Sequence, residues 1–313
     1  MPATASLRAL LTGLIDYAGL FPPAGLAMGP AVRNYATYLE GPHAWMLGRF
    51  ICPASRLEEF RREAAPLLPR EVLEGDPPWR VSVLIDGDLD ENLDSVFAFN
   101  HEHADPERGL AVIDAVEVKA PAGATADRLD DLLERVPDDI FPFVEIPTGT
   151  QGGGGDPRGL VAALAGSGAG AKIRTGGITP ASIPSPGEVA EFICACDAAE
   201  VAFKATAGLH HPVRGEHALT YEPASPRAVM HGFLNVFLGA CIFHKEVPCR
   251  EELVLLLEET DASRFRFDDR SAAWRNRQIS TVDIAEVRDT FALSFGSCSF
   301  EEPVEDLVRL GLL

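Results

Sequence analysis

Residues 170–177 read GAKIRTGG and residues 201–209 read VAFKATAGL. Each is a short β-forming run that ends in glycine and carries a lysine at its middle, Lys172 or Lys204. Taking an unpaired ammonium out of water costs several kcal/mol. A chain that does so twice, on strands close in sequence, needs partners for those charges inside the same fold.

Working outward, five earlier runs have the same character: LIDYAGLF (14–21), WMLGRFIC (45–52), WRVSVLID (79–86), DAVEVKAP (114–121) and IFPFVEIP (140–147). Between runs lie helical stretches such as SRLEEFRREAAPLL, TADRLDDLLERV and SPGEVAEFICACD, each opening on a Ser or Thr cap with apolar positions at helical spacing. Seven strand-then-helix repeats predict a parallel sheet with crossover helices, and their regular spacing predicts α/β architecture as a single (βα)8 TIM barrel spanning 1–313. For the eighth strand, RFRF (264–267) is preferred to the region before GSCSFEEP (296–303), because STVDIAEVRDTFALS (280–294) has the helical period. AAWRNRQI (272–279) is then an excursion on the rim, and the segment 210–263 is an extension carrying an additional helix. The glycine run QGGGGDP (151–157) after strand five reads as a mobile lid or a tolerated surface loop.

Composition narrows the function classes. With 27 Lys+Arg against 47 Asp+Glu the formal net charge is -20, which opposes nucleic-acid backbones and anionic membranes as partners. No signal-like start and no long apolar run is present, so a cytoplasmic protein is expected. Of six cysteines only Cys194 and Cys196 are close, at a spacing that puts them on different faces of a helix, so free thiols are expected. The remaining partner is a small molecule, anionic or carbonyl-bearing, with room for a homo-oligomer.

Side chains of barrel strands alternate between interior and helix layer. Assigning the apolar parity outward sends Glu117 and Lys119 of strand four inward, with Glu145 of strand five, Lys172 and Arg174 of strand six, and Lys204 and Thr206 of strand seven. Asp86 stands at the inner tip of strand three. Three carboxylates and four cations are thus expected at the C-terminal end, where barrel chemistry collects. A lysine beside a second cation loses its proton more easily and becomes a carbonyl nucleophile. Glu145 or Glu117 would then serve as general acid or base and Asp86 would orient a lysine. Arg174, Lys119, Thr206, His210 and His211 are expected to hold substrate. His231 and Asn235, four apart on an apolar helix, read as a satisfied polar pair.

Lys172-Ile-Arg-Thr175-Gly176 and Lys204-Ala-Thr206-Ala-Gly208 resemble the strand-six and strand-seven motifs of the deoxyribose-phosphate aldolases, class I aldolases on a (βα)8 barrel. The resemblance implies a lyase in which Lys172 forms an imine, Lys204 lowers its pKa, and Asp16 and Cys52 are counterparts of an acid near strand one and a cysteine near strand two. It implies no cofactor. Arg174 and the His210-His211 pair depart from the family pattern, as do the AGLFPPAGLAM, HGFLNVFLGA and FGSCSFEEPVEDL segments, which resemble a bacterial barrel family distinct from typical aldolases. Two alternatives remain open: an enolising lyase or isomerase with Mg²⁺ on Asp86, Glu117 and Glu145, and a non-catalytic barrel that binds small anions.

Overall fold

The computed structural model describes residues 3–71, 77–121, 124–148, 156–246 and 249–313. Its centre is a closed parallel barrel of eight strands: β1 (Ile15–Tyr17), β2 (Leu47–Pro53), β3 (Trp79–Leu84), β4 (Ala111–Lys119), β5 (Phe141–Glu145), β6 (Gly170–Arg174), β7 (Phe203–Thr206) and, last in the chain, the strand Ala292–Ser297. Helices follow the strands and cover the outside, giving a (βα)8 barrel with additional helices. Caps set several of these helices in place: Ser185 and Glu188 form a reciprocal capping box at the start of Pro186–Ala198, and Asp88 accepts from the amides of Asp90 and Glu91.

Between β7 and the last barrel strand the chain builds a hairpin, β8 (Gly215–Ala218) with β9 (Arg227–Met230), and a three-stranded antiparallel sheet, β10 (Phe265–Phe267), β11 (Ser271–Trp274) and β12 (Arg277–Ser280). The closing strand is therefore β13 in chain order. The expectation that RFRF closes the barrel is wrong. A closing strand is covered on both faces, and Ala292-Leu293-Ser294-Phe295-Gly296-Ser297 supplies small or apolar groups on each. RFRF alternates phenylalanine with arginine, and Arg266 is exposed at the edge of the antiparallel sheet. The helical period of 280–294 holds only as far as Thr290, from the Ser280 cap that accepts from the Asp283 amide. AAWRNRQI forms the β11–β12 hairpin beside the helices Ala5–Leu11, Phe233–Lys245 and Thr281–Thr290. The glycines at 151–155 lie outside the described residues.

The apolar layer between sheet and helices contains Phe50, Val81, Val116, Val144, Ile173, Phe203 and Phe295, all buried. Where β1 meets β13 the barrel is tied from below by Arg288, which is buried. Its Nε donates to the Leu10 carbonyl at 2.8 Å, one terminal nitrogen to the carbonyls of Ala292 and Leu293, and the other to that of Thr12. The register that results sets Asp16 opposite Gly296.

Candidate active site

Inside the barrel five charged side chains form one uninterrupted run. Asp16 Oδ2 on β1 accepts from Lys204 Nζ on β7 at 2.7 Å; the same ammonium donates to Glu117 Oε1 on β4 at 2.7 Å. The other oxygen of Glu117 accepts from Lys172 Nζ on β6 at 2.9 Å, and Lys172 reaches Glu145 Oε2 on β5 at 2.7 Å. Lys172 and Lys204 are register partners on neighbouring strands, which is why one carboxylate can bridge them. Around the run, Ser294 Oγ and the Arg49 amide donate to Asp16, Ser82 Oγ donates to Glu117, and the ring of Phe143 faces Lys204 Nζ at 5.1 Å.

Exposure grades along this run. The side chains of Asp16 and Lys204 are 0% accessible, those of Glu117 and Lys172 2% and 3%, and that of Glu145 13%. The last member is the one that opens outward, onto a hollow of about 430 Å³ lined by Lys119, Glu145, Arg174, Thr179 and Ser182. Thr206 is the register partner of Arg174. Burial works against the charge on Lys172, but Glu117 and Glu145 outweigh it and its pKa is raised. Burial likewise opposes the charge on Glu117, and the two ammonium groups hold its carboxyl far below the ordinary range. The resemblance implies that Lys204 is the dominant neighbour of Lys172 and lowers its pKa. Instead the carboxylates lie closest, so Lys172 rests as a cation.

The resembled motifs also have a backbone role. A Cβ on Gly176 would come within 2.9 Å of Gly208 Cα, and Gly208 has φ +81°, so glycine at both positions lets the tips of β6 and β7 approach this closely. Thr175 Oγ1 donates to the Ala207 carbonyl at 2.6 Å. The Thr-Gly and Ala-Gly pairs thereby hold the two lysine strands in register.

Four of the residues singled out from sequence lie elsewhere. Asp86 falls two residues past the end of β3, is exposed, and accepts from the amide and hydroxyl of Ser55 at 3.0 and 2.5 Å. Cys52 shares the parity of Phe50, packs into the outer apolar layer, and burial pushes its thiol well up. His210 and His211 line a second, smaller hollow past the tip of β7. Among the described residues no group of three His, Cys, Asp or Glu side chains is placed to hold a metal ion. In particular, the trio Asp86, Glu117 and Glu145 does not converge. The sequence reading passed over Ser82 and Ser294. A polar residue at the inner parity of strand three was the signal for Ser82, while Ser294 was hidden by the choice of eighth strand.

No family model matches the chain, and no curated protein matches it. Among solved structures it is similar to the OMP decarboxylase of Leishmania donovani, with 17% identity over 64% of this chain and 77% of that one, at a TM-score of 0.39. Nothing about function is carried over at that level.

Proposed function

We propose that the chain is a lyase acting on a small carbonyl-bearing metabolite at the mouth of its barrel, with Lys172 as the group that meets the carbonyl. The observation behind the proposal is the run Asp16–Lys204–Glu117–Lys172–Glu145, which begins fully buried and ends at an open hollow. A network that only fixed strand register would have no need to end there, and apolar packing serves that purpose as well.

The charge state favours the ammonium form of Lys172 as the working group. A substrate carbonyl oxygen that takes the place of Glu145 beside Nζ receives a charge-assisted hydrogen bond, which strengthens as a bond to the α-carbon breaks and an enolate forms. Glu145, displaced but adjacent, is then the acid or base that moves the proton. Lys119 and Arg174 stand at the rim for an anionic group.

A second reading, the imine of the class I aldolases, draws support from the lysine pair facing across β6 and β7. Here Lys172 first gives its proton to Glu145, the partner with access to solvent. The neutral amine adds to the carbonyl, and the carbinolamine loses water. Screening small aldehydes and ketones with borohydride, followed by mass spectrometry, separates the two. An adduct at Lys172 that is lost in Lys172→Ala and reduced in Lys204→Ala selects the imine. No adduct, with deuterium exchange next to the carbonyl that needs both Lys172 and Glu145, selects the ammonium.

Other outcomes favour the remaining readings. Activity that disappears on chelation and returns with Mg²⁺ points to metal-assisted enolisation. Retention of small carboxylates by Glu145→Gln, with no turnover in any form of the protein, points to a binding barrel and sinks the lyase.

A further inference from the structure

Cys298 follows the tip of β13, and His210 follows β7. The two meet in the interior, where the sulfur lies 3.9 Å from His210 Nε2 and 4.0 Å from Nδ1. The same Nδ1 faces Glu302 Oε2 at 3.2 Å, on the helix Glu301–Arg309. Tyr221, on the β8–β9 connection, places its hydroxyl 3.1 Å from Glu302 Oε2 and 3.8 Å from the sulfur. His210, Tyr221 and Glu302 of this group line, with His211 and His217, a hollow of about 150 Å³. None of them touches the lysine run, so the lyase reading uses none of them.

The other five cysteines have different surroundings. Cys52, Cys194, Cys196 and Cys241 all have thiols pushed up, chiefly by burial. Cys249 is exposed and donates to Glu251 Oε2 at 3.3 Å. Cys298 has an imidazole at contact distance, with its sulfur nearly equidistant from the two ring nitrogens, and a carboxylate against Nδ1 of the same ring; an imidazolium beside a thiol favours the nucleophilic thiolate. Its residue is 5% accessible, and the neighbouring hollow admits only a molecule of a few heavy atoms.

We infer that Cys298, His210 and Glu302 form a second reactive centre, in which Cys298 is the site where small hydroperoxides oxidise this protein. The thiol ionises beside the imidazolium of His210, and the sulfur attacks one peroxide oxygen. The O–O bond breaks, and the departing hydroxide takes a proton from His210, which the proton shed by the thiol replaces. For hydrogen peroxide the sum is Cys–SH + H₂O₂ → Cys–SOH + H₂O. Burial opposes a charge on His210, yet its contacts with Cys298 and Glu302 raise its pKa to about 9, so the ring is a proton donor at neutral pH.

The test titrates the full chain with hydrogen peroxide in the presence of a sulfenic-acid trap and reads each cysteine by mass spectrometry. Accessibility alone predicts Cys249 first and Cys298 late. The relay predicts the reverse order, with Cys298 trapped at least about tenfold faster than Cys249. Glu302→Gln and His210→Gln should each slow trapping at Cys298 by about tenfold and leave Cys249 unchanged. Equal or faster trapping at Cys249 in the unaltered chain overturns the inference, whether or not the variants fold. So does an unchanged Cys298 rate in a folded His210→Gln chain.

Discussion

Two assemblies of buried cations occupy opposite ends of this barrel, and their partners differ in kind. At the floor, Arg288 donates only to backbone carbonyls, of Leu10, Thr12, Ala292 and Leu293. Burial lowers its pKa to about 10. Toward the mouth, Lys204 and Lys172 donate to three carboxylates, and the pKa of Lys172 is raised. Carbonyl acceptors fix geometry but cannot take a proton at ordinary pH, whereas carboxylates can. The floor therefore acts as an anchor, and the mouth has the means to do chemistry.

The sharpest way to break this contrast is through turnover, once the trapping screen has supplied a substrate. Lys172→Met should lower kcat by about 10²–10⁴-fold, the usual worth of a positioned proton-transfer group. Arg288→Lys should leave kcat within a few-fold while lowering the urea midpoint. Loss of kcat of the same size in both variants would mean that the two ends are not functionally distinct.

A second contrast is in stability. Lys204→Met leaves Asp16 buried without its ammonium partner and Glu117 with one of its two, and should cost about 3–5 kcal/mol in urea unfolding. Adding Asp16→Asn should recover part of that loss, because a buried charge is removed along with its partner. If the double variant is no more stable than Lys204→Met, the two residues are not coupled as their 2.7 Å contact implies.

The smallest expected effect is a pH dependence, and its sign separates two buried histidines. The pKa of His210 in the folded chain, about 9, is above the ordinary 6.5. Its contribution is fully present below pH 6.5 and lost as pH rises through 9. His231 is buried, donates from Nε2 to the Pro184 carbonyl, and is pushed down to about 4 by burial. Its contribution is present above pH 6.5 and lost as pH falls through 4. Between pH 6.5 and 9 the melting temperature should fall by roughly 2–4 °C, the equivalent of about 1 kcal/mol in a chain of this size. His210→Gln should flatten that decline and leave the acid side unaltered. A decline that survives the substitution would assign it to another group.

Glu117 and Lys172 of the lysine run titrate only at the extremes. Glu117, held below its ordinary value, supports the fold above pH 4.5 and loses that support only in strong acid. Lys172, held above its ordinary value, supports it below pH 10.5 and loses that support only in strong base. The middle of the pH range should therefore leave the Glu117–Lys172 pair intact.

Much of the site was legible before any coordinates, because strand parity is local. Val116 and Val118 flank Glu117, and Ala171 and Ile173 flank Lys172, so the inward set could be written down from period two alone. The same rule failed at Asp86, where the strand had already ended; at Cys52 it was the resemblance that failed, because the parity of Phe50 puts the thiol in the outer layer. The rule also failed at the eighth strand, because a helical period fits 280–294 as text and nothing local marks the break at Thr290.

By itself, then, the sequence determined the alternation of strand and helix, the acidic surface and the inward charges, since each depends on near neighbours and on solvation. Only the tertiary structure decided which strand closes the barrel and which charge meets which. Those depend on groups far apart in the chain, 188 positions for Asp16 with Lys204 and 278 for Asp16 with Ser294 of the closing strand. The pairing in turn set the charge on Lys172: an ammonium takes its pKa from whatever lies within a few ångströms, and the chain order of Glu117, Glu145 and Lys204 does not say which of them that will be.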